Sequence, residues 1–588
     1  MLVLGIHDGK DPSVVLLRDG AVERIGFESD YVDDPFEISG FPAKATEHLM
    51  AIEGLSGDEI DVIAFAGQHL AEPRTRRELL KKFAESGTLR ASAKRLLKTA
   101  VPFTSRKPSR RDRLRHLEKL GLKPDRSTFI DHHLAQAAVA AASAHSKDGR
   151  LLVLCCEGSG DGISASVHIS RGGRLDRVAT ISDDNSLGSF LETVTYLQGM
   201  VPERDEGLLM ELGGLARGPQ LSKVTKRLSI LFEFDPLLPL NWRRSGNLPE
   251  TYDCVEFLRL HLRRRRFDHI AGATRRFLEQ FLGQWIDRCA LKTACESVVL
   301  TGSVFGLRSL YPALSSCTRA AQLTICPTPN DSGNAIGAAI MALAEKKGVE
   351  HVLPLGQPWL GEDAGEGDCA DFARKEEAKG GIWIDQPENL EARAAELIAG
   401  GALLGRITGR VDMSRVGLGN RSLLCRGDLP ELRSASQQLL RPDVFWHEVP
   451  ALMLNTELEE EFFGTEKLPS NAVGEYWLKP RRPQAWTGRM NPRAPVPVQV
   501  TNEGSDPSTA ALIHQFRKTV GKTPLLCTPW LNRRGQLVRT VQDARESWRT
   551  QGLDGVIAGP YIVMRRADPN ATKPKHAELA RRPFYGGL

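Results

Sequence analysis

Three glycine-rich stretches hold the residues best suited to grip an anion and move a chemical group. The longest joins Gly409-Arg410-Val411-Asp412 to Leu418-Gly419-Asn420-Arg421-Ser422. Its glycines let backbone N–H groups approach a ligand, and its arginines clamp phosphate or carboxylate through forked donors. That suits a phosphorylated or carbonyl-bearing small substrate, although an ordinary basic surface turn has the same composition. The other two are Glu157-Gly158-Ser159-Gly160-Asp161-Gly162 and Thr301-Gly302-Ser303-Val304. Each follows an apolar run, where a glycine turn presents N–H groups to phosphate.

The elements that must position these turns follow from periodicity. LVLGIHDG, SVVLLRDG and AVERIGFES alternate apolar residues between Asp-Gly turns, which predicts an antiparallel meander. A second strand–turn–strand unit starts at Leu151, so one fold is used twice. Helical spacing covers 42–56, 76–121, 186–216, 268–293 and the run from His132, with turn then helix over 331–344. Short strands are expected at 62–67, 127–131 and 297–302. Residues 353–380 have no apolar period and read as a linker or cover segment. A second module then opens with a helix at 388–401. Strands follow at 402–408, 451–454, 497–501 and 555–564, with helices at 508–521 and 541–552. The tail after Asp568 reads as irregular and basic.

Composition sets limits. With 588 residues, 41% hydrophobic and 26% charged, the chain is long enough for several globular domains. No apolar run is long enough to span a bilayer, and the N-terminus lacks the features of a signal peptide. The ten cysteines form no CxxC pair and no zinc spacing, so reduced thiols and a cytoplasmic location are expected. The net charge of +5 is uneven, since residues 71–126 hold 18 Lys/Arg against 6 Asp/Glu. That stretch fits a solvated helical face or a nucleic-acid contact, but it lacks the interleaved aromatic residues of the latter.

The segment GRVDMSRVGLGNRS resembles the GRMEFGPRALGNRS signature of the O-carbamoyltransferases of nodulation-factor and antibiotic biosynthesis. The resemblance runs in order over most of the chain. It implies an α/β and α+β protein with a duplicated actin/sugar-kinase-like ATPase domain (1–352), a linker (353–380) and a carbamoyl-adenylate-synthase-like α/β domain (381–588). Both modules are similar to enzymes that make threonylcarbamoyladenosine in tRNA. The implied reaction joins ATP and carbamoyl phosphate as carbamoyl adenylate, then passes the carbamoyl group to a hydroxyl of a small secondary metabolite. A tRNA partner is a weaker expectation, and no membrane partner is expected.

Residue by residue, the family's HHLAH reads His132-His133-Leu134-Ala135-Gln136, and its PxxGDAG reads Pro327-Thr328-Pro329-Asn330-Asp331-Ser332-Gly333. The implied site for a divalent, iron-like metal is therefore His132, Gln136 and Asp331, with glutamine a weak ligand. The implied nucleotide contacts are Gly158, Gly160, Asp161, Gly302, Ser303 and Asn330. Carbamoyl phosphate is expected on Arg410, Asn420, Arg421, Ser422, Arg441, Thr528, Asn532 and Arg534. His132, Asp11 and Arg421 are the catalytic candidates, with Asp11 as base because GHDAS has become Gly9-Lys10-Asp11-Pro12-Ser13. Leu208, Val416 and Trp446 replace other polar family positions. These changes keep a second reading open, an altered member acting as a nucleotide-binding partner subunit or in another ATP-dependent acyl transfer.

Overall fold

The structure is a computed structural model. It describes residues 1–32, 39–69, 76–85, 110–144, 149–246, 248–250, 254–442, 444–486, 491 and 494–566. The chain divides into two compact units, Met1–Gly356 and Gln357–Leu588.

In the first unit, β1 (Leu2–His7), β2 (Ser13–Arg18) and β3 (Ala21–Phe27) form the expected meander. Asp19 and Gly20 both take left-handed backbone in the β2–β3 turn, as a two-residue hairpin needs. β4 (Val62–Ala66) and β5 (Ser127–Ile130) extend the sheet in parallel, giving the order β3-β2-β1-β4-β5. A second sheet repeats this plan. β6 (Arg150–Gly160), β7 (Ile163–Arg171) and β8 (Arg174–Ser182) are antiparallel. A small hairpin, β9 (Phe232–Phe234) and β10 (Trp242–Arg244), intervenes. β11 (Ser297–Thr301) and β12 (Gln322–Ile325) then add parallel to β6, giving β12-β11-β6-β7-β8. Two sheets, each with a three-strand meander and two parallel strands in the same order, establish the duplicated actin/sugar-kinase-like fold.

Helices 132–143 and 334–347 pack on each other; the first lies on β6 and β11, the second on β1, β2 and β4. Their approach is close because Gly337 has no side chain: a Cβ there would sit 1.7 Å from the Ala135 carbonyl oxygen. This contact brings the His132 and Asp331 ends of the two helices together. Two expectations change. The helix over 186–216 is two helices, 187–197 and 206–215, separated by a segment containing Gly199 and Pro202. Of the helix over 76–121, residues 76–85 and 110–119 are helical and 120–121 form a turn. Residues 71–75 and 86–109 of that basic stretch and the tail after Asp568 lie outside the described residues.

The second unit is built on a ten-stranded sheet. Its strands are β13 (Ile382–Asp385), β14 (Leu404–Ile407), β15 (Arg421–Arg426), β16 (Ala451–Leu454), β17 (Phe462–Phe463), β18 (Gly474–Pro480), β19 (Val496–Thr501), β20 (Leu525–Pro529), β21 (Gly555–Ala558) and β22 (Tyr561–Arg565). The order is β13-β22-β21-β14-β15-β20-β16-β19-β18-β17. The strand read over 555–564 is the β21–β22 hairpin, turned at Gly559-Pro560. Two apolar cores include residues of the sheet and its helices, one around Trp530 and Trp548, the other around Ile398 and Phe516. Residues 357–380 are not a free linker. They belong to this unit and contain helix 366–377, which buries Cys369, Phe372, Ala373 and Glu376.

Candidate functional site

His132 starts helix 132–143, Glu157 lies in β6, and Asp331 precedes helix 334–347. Their ligand atoms all lie within 4.8 Å of one another. His132 Nε2 is 3.0 Å from Glu157 Oε1 and 3.3 Å from Asp331 Oδ1. Glu157 thus joins the expected members His132 and Asp331, and Gln136 holds it: the Gln136 Nε2 donates to Glu157 Oε2 at 2.8 Å. The amide orientation is fixed by chemistry, because a carboxylate oxygen accepts and cannot face another acceptor. In the sequence Glu157 stands in a phosphate-turn motif, and nothing local marks it as a member of this cluster.

Several features hold this cluster. Asp161 accepts from the backbone N–H groups of Gln68 (2.8 Å), His69 (3.0 Å) and His132 (2.9 Å). Its carboxylate is thus a clasp that seats the start of the His132 helix, a different task from the expected nucleotide contact. Gly160 leaves room for the His132 ring. Asn334, fully buried, places Nδ2 3.3 Å from both His132 Nε2 and Asp331 Oδ1. Buried Gln136 Oε1 and Asn334 Oδ1 have no hydrogen-bond partner. Orphaned oxygens around a histidine and two carboxylates fit a divalent cation. Without one, a shared proton serves. Burial opposes it, but Glu157 and Asp331 hold the His132 imidazole well above its ordinary range. Against burial, His132 holds the Glu157 and Asp331 carboxyls low.

Beside the cluster, His7 at the end of β1 is 4.0 Å from Asp331 Oδ2 and bonds the Lys10 carbonyl at 2.8 Å. Burial lowers its pKa. Lys10 Nζ contacts Glu203 at 3.4 Å, and Glu206 accepts the Glu203 N–H at 2.8 Å. Burial first, then Glu192, pushes the Glu206 carboxyl up to about 7, against Lys10. An acid raised this way is ionised in the unfolded chain from its ordinary value near 4.5 but protonated in the fold until about 7. The fold therefore binds more protons in that window, and stability falls as pH rises through it and stays reduced above. Glu206→Gln is expected to stabilise the first unit by about 3 kcal/mol at pH 8 and by much less at pH 5. Guanidinium denaturation at both pH values checks this; equal gains would refute the assignment.

The remaining nucleotide candidates are placed as follows. Gly302 has φ +97, and a Cβ there would lie 2.2 Å from the Cys156 carbonyl oxygen. Its N–H donates to Pro329, and neighbouring Ser303 is exposed. Gly158 borders Glu192, whose Oε1 would be 2.7 Å from an added Cβ. Asn330 is 3.5 Å from Asp11 Oδ2, and Asp11 itself has φ +52.

In the second unit the 409–422 motif spans the β14–β15 loop and the start of β15. Fully buried Asp412 organises it, accepting from Ser414 Oγ (2.5 Å), Val416 N (3.2 Å) and Gly417 N (2.8 Å). Arg415 and Leu418 adopt positive φ, +60 and +32, a strained arrangement for non-glycine residues. Arg421 departs most from expectation. It is fully buried, and its guanidinium donates to the carbonyls of Arg539, Thr408, Asn420, Glu362 and Gly409. It is a structural strut in this arrangement, without a donor face turned to solvent. Arg410 likewise donates to Gly361 and Leu360 carbonyls. Ser422 Oγ accepts from Gly419 N at 3.1 Å. Thr528 and Asn420 are buried with Oγ1 and Oδ1 unpartnered. Asn532 shapes the next loop by accepting from Arg534 and Gln536 N–H groups, and Arg534 is exposed. Arg441 ends helix 430–440 and is partly buried.

Fold and site together define a two-unit α/β protein whose actin-like first unit carries a histidine–carboxylate cluster. The Carbamoyltransferase N-terminus family matches residues 4–340 and the Carbamoyltransferase C-terminus family residues 395–565, so the chain belongs to the carbamoyltransferases. It is an enzyme of the transferase class. Nodulation protein NolNO of Sinorhizobium fredii is 25% identical over 95% of this chain and 79% of its own length. Nodulation protein NolO of Bradyrhizobium diazoefficiens is 24% identical over 78% and 83%. Among solved structures, full-length HypF in a phosphate- and nucleotide-bound form has TM-score 0.35 at 13% identity, covering 59% of this chain and 56% of that one. No helix among the described residues is long and apolar enough to cross a membrane.

Proposed function

We propose that this carbamoyltransferase is ATP-dependent and acts in two steps. In the first, carbamoyl phosphate, ATP and one water give carbamoyl adenylate, phosphate and pyrophosphate on the second unit. In the second, an acceptor hydroxyl oxygen bonds to the carbamoyl carbon, the bond from that carbon to AMP breaks, and AMP leaves with the electron pair. The acceptor is a small molecule bearing a hydroxyl. The observation that carries this reading is the convergence of buried His132 and Glu157 with half-buried Asp331 in a family whose chemistry is carbamoyl transfer.

His132, Glu157 and Asp331 would hold a divalent cation, which supplies Lewis acidity toward the carbamoyl carbonyl or the adenylate phosphate. Asn334 and Gln136 orient the ligands from behind. Asp11, on the same β1–β2 connection as Lys10 and close after His7 of β1, takes the acceptor's proton. The glycine turn at 158–162 and the Ser303 N–H receive the adenylate phosphate side. Ser422, Thr528, Asn532 and Arg534 supply donors to carbamoyl phosphate, with Arg421 shaping their loop from beneath.

Incubation with ATP, carbamoyl phosphate and a divalent metal, followed by pyrophosphate assay and mass spectrometry, tests the first step without knowledge of the acceptor. Carbamoyl-phosphate-dependent pyrophosphate release, reduced at least tenfold in Arg534→Ala, is the expected result. Pyrophosphate release that ignores carbamoyl phosphate would sink this reading.

A further inference from the structure

Four residues after His132, where helical spacing returns to the same face, a histidine would point its ring at the same cation. Gln136 stands there instead. It does not leave the position empty of function, because its amide N–H grips Glu157 Oε2 at 2.8 Å. The grip fixes the carboxylate so that the other oxygen, Oε1, lies 3.0 Å from His132 Nε2 and 3.2 Å from His133 Nε2. Glu157 is 3% exposed, so this oxygen is out of reach of bulk water. His133 cannot be the missing ligand in this arrangement. Its ring is committed on both sides, to Ser166 Oγ at 2.9 Å and to the Ile163 carbonyl at 3.0 Å.

We propose that Glu157, held by Gln136, takes the place of a second histidine ligand, and that the resulting oxygen-rich set shifts metal preference toward a hard cation such as manganese(II), relative to a set with two histidines. The set is one imidazole nitrogen from His132 and carboxylate oxygens from Glu157 and Asp331. The buried Asn334 amide, 3.3 Å from both His132 and Asp331, offers a further oxygen on rotation. Carboxylate and amide oxygens suit manganese and magnesium, whereas imidazole-rich sets suit iron and zinc. Second-sphere amides that fix a ligating carboxylate are worth about 10–100-fold in metal affinity. The inference rests on reading the first unit's cluster as a cation site.

The test uses the full-length protein and reads binding, not turnover. Manganese(II) is titrated by electron paramagnetic resonance of the free ion, then displaced by zinc(II), in wild type, Gln136→His and Glu157→Gln. Circular dichroism confirms the fold of each variant. Gln136→Met, which keeps volume but frees Glu157, serves as a second variant should Glu157→Gln misfold. Wild type is expected to bind one manganese. Glu157→Gln should weaken that binding at least tenfold and Gln136→Met at least threefold. Gln136→His should tilt the manganese-to-zinc affinity ratio at least tenfold toward zinc. An unchanged ratio in Gln136→His, or unaltered manganese binding in Glu157→Gln, overturns the exchange of ligands while leaving a cation site standing. If neither metal binds wild type, the cation site itself falls, and His132 is a protonated imidazole between two carboxylates.

Discussion

Arg421→Ala is expected to destabilise the second unit by about 4 kcal/mol or more, before any ligand is considered. The side chain is fully buried and its guanidinium serves five backbone carbonyls spread over residues 362–539. Burial pulls its pKa down to about 10, so the group stays protonated near neutral pH and the carbonyls face a full charge. Truncation strands those carbonyls in a site that excludes water, each costing about 1–3 kcal/mol where nothing replaces the donor. Lysine cannot restore a planar fork, so Arg421→Lys should recover only a minor part. Denaturation of the unliganded protein decides the matter. A native melting curve with only the ligand-induced rise in Tm lost would mean that Arg421 is a ligand clamp. Exposed Arg534 is the control, and Arg534→Ala should move unliganded stability by no more than about 0.5 kcal/mol.

Gly160→Ala is expected to cut carbamoyl transfer at least about 100-fold, while pyrophosphate release by the second unit continues. The added Cβ would fall 2.3 Å from His132 Cδ2 and 2.5 Å from Glu157 Oε1. Gly160 is not among the glycines of positive φ, so alanine brings no backbone penalty and the effect is steric. His132 is fixed at its backbone by Asp161 and cannot retreat with its helix. The ring must therefore turn, and a displacement near 1 Å is enough for a loss of this size. The stability cost should be about 1–3 kcal/mol, that of overpacking a core. Wild-type transfer in Gly160→Ala would place the reaction somewhere other than this cluster.

Most of the scaffold was legible because period and turn chemistry are local. Asp19-Gly20 announced the β2–β3 hairpin, and the second meander after Leu151 announced the duplication. The ends of elements were less legible: Gly559-Pro560 splits what reads as one strand. Helix 366–377 escaped because its buried stripe is Cys369, Phe372, Ala373 and Glu376, with only one large apolar residue in the helical period. At the site, His132 and Asp331 were recovered through motif resemblance. Glu157 was not, since an acid in a glycine turn reads equally well as part of a phosphate loop. Arg421 illustrates the converse. A motif states which residue is present, but only packing decides whether its donors point at a ligand or at five carbonyls.

The segment 357–380 has a consequence for anyone who would divide this polypeptide into halves. The carbonyls of Leu360, Gly361 and Glu362 take hydrogen bonds from Arg410 and Arg421, and Glu376 accepts from Arg545 and Arg549. A fragment begun at residue 381 therefore discards partners that the sheet's own arginines require, and it should emerge insoluble. One begun at Gln357 keeps them and should fold alone. The border between the halves is set by where arginines find their acceptors, some two dozen residues before the sheet begins.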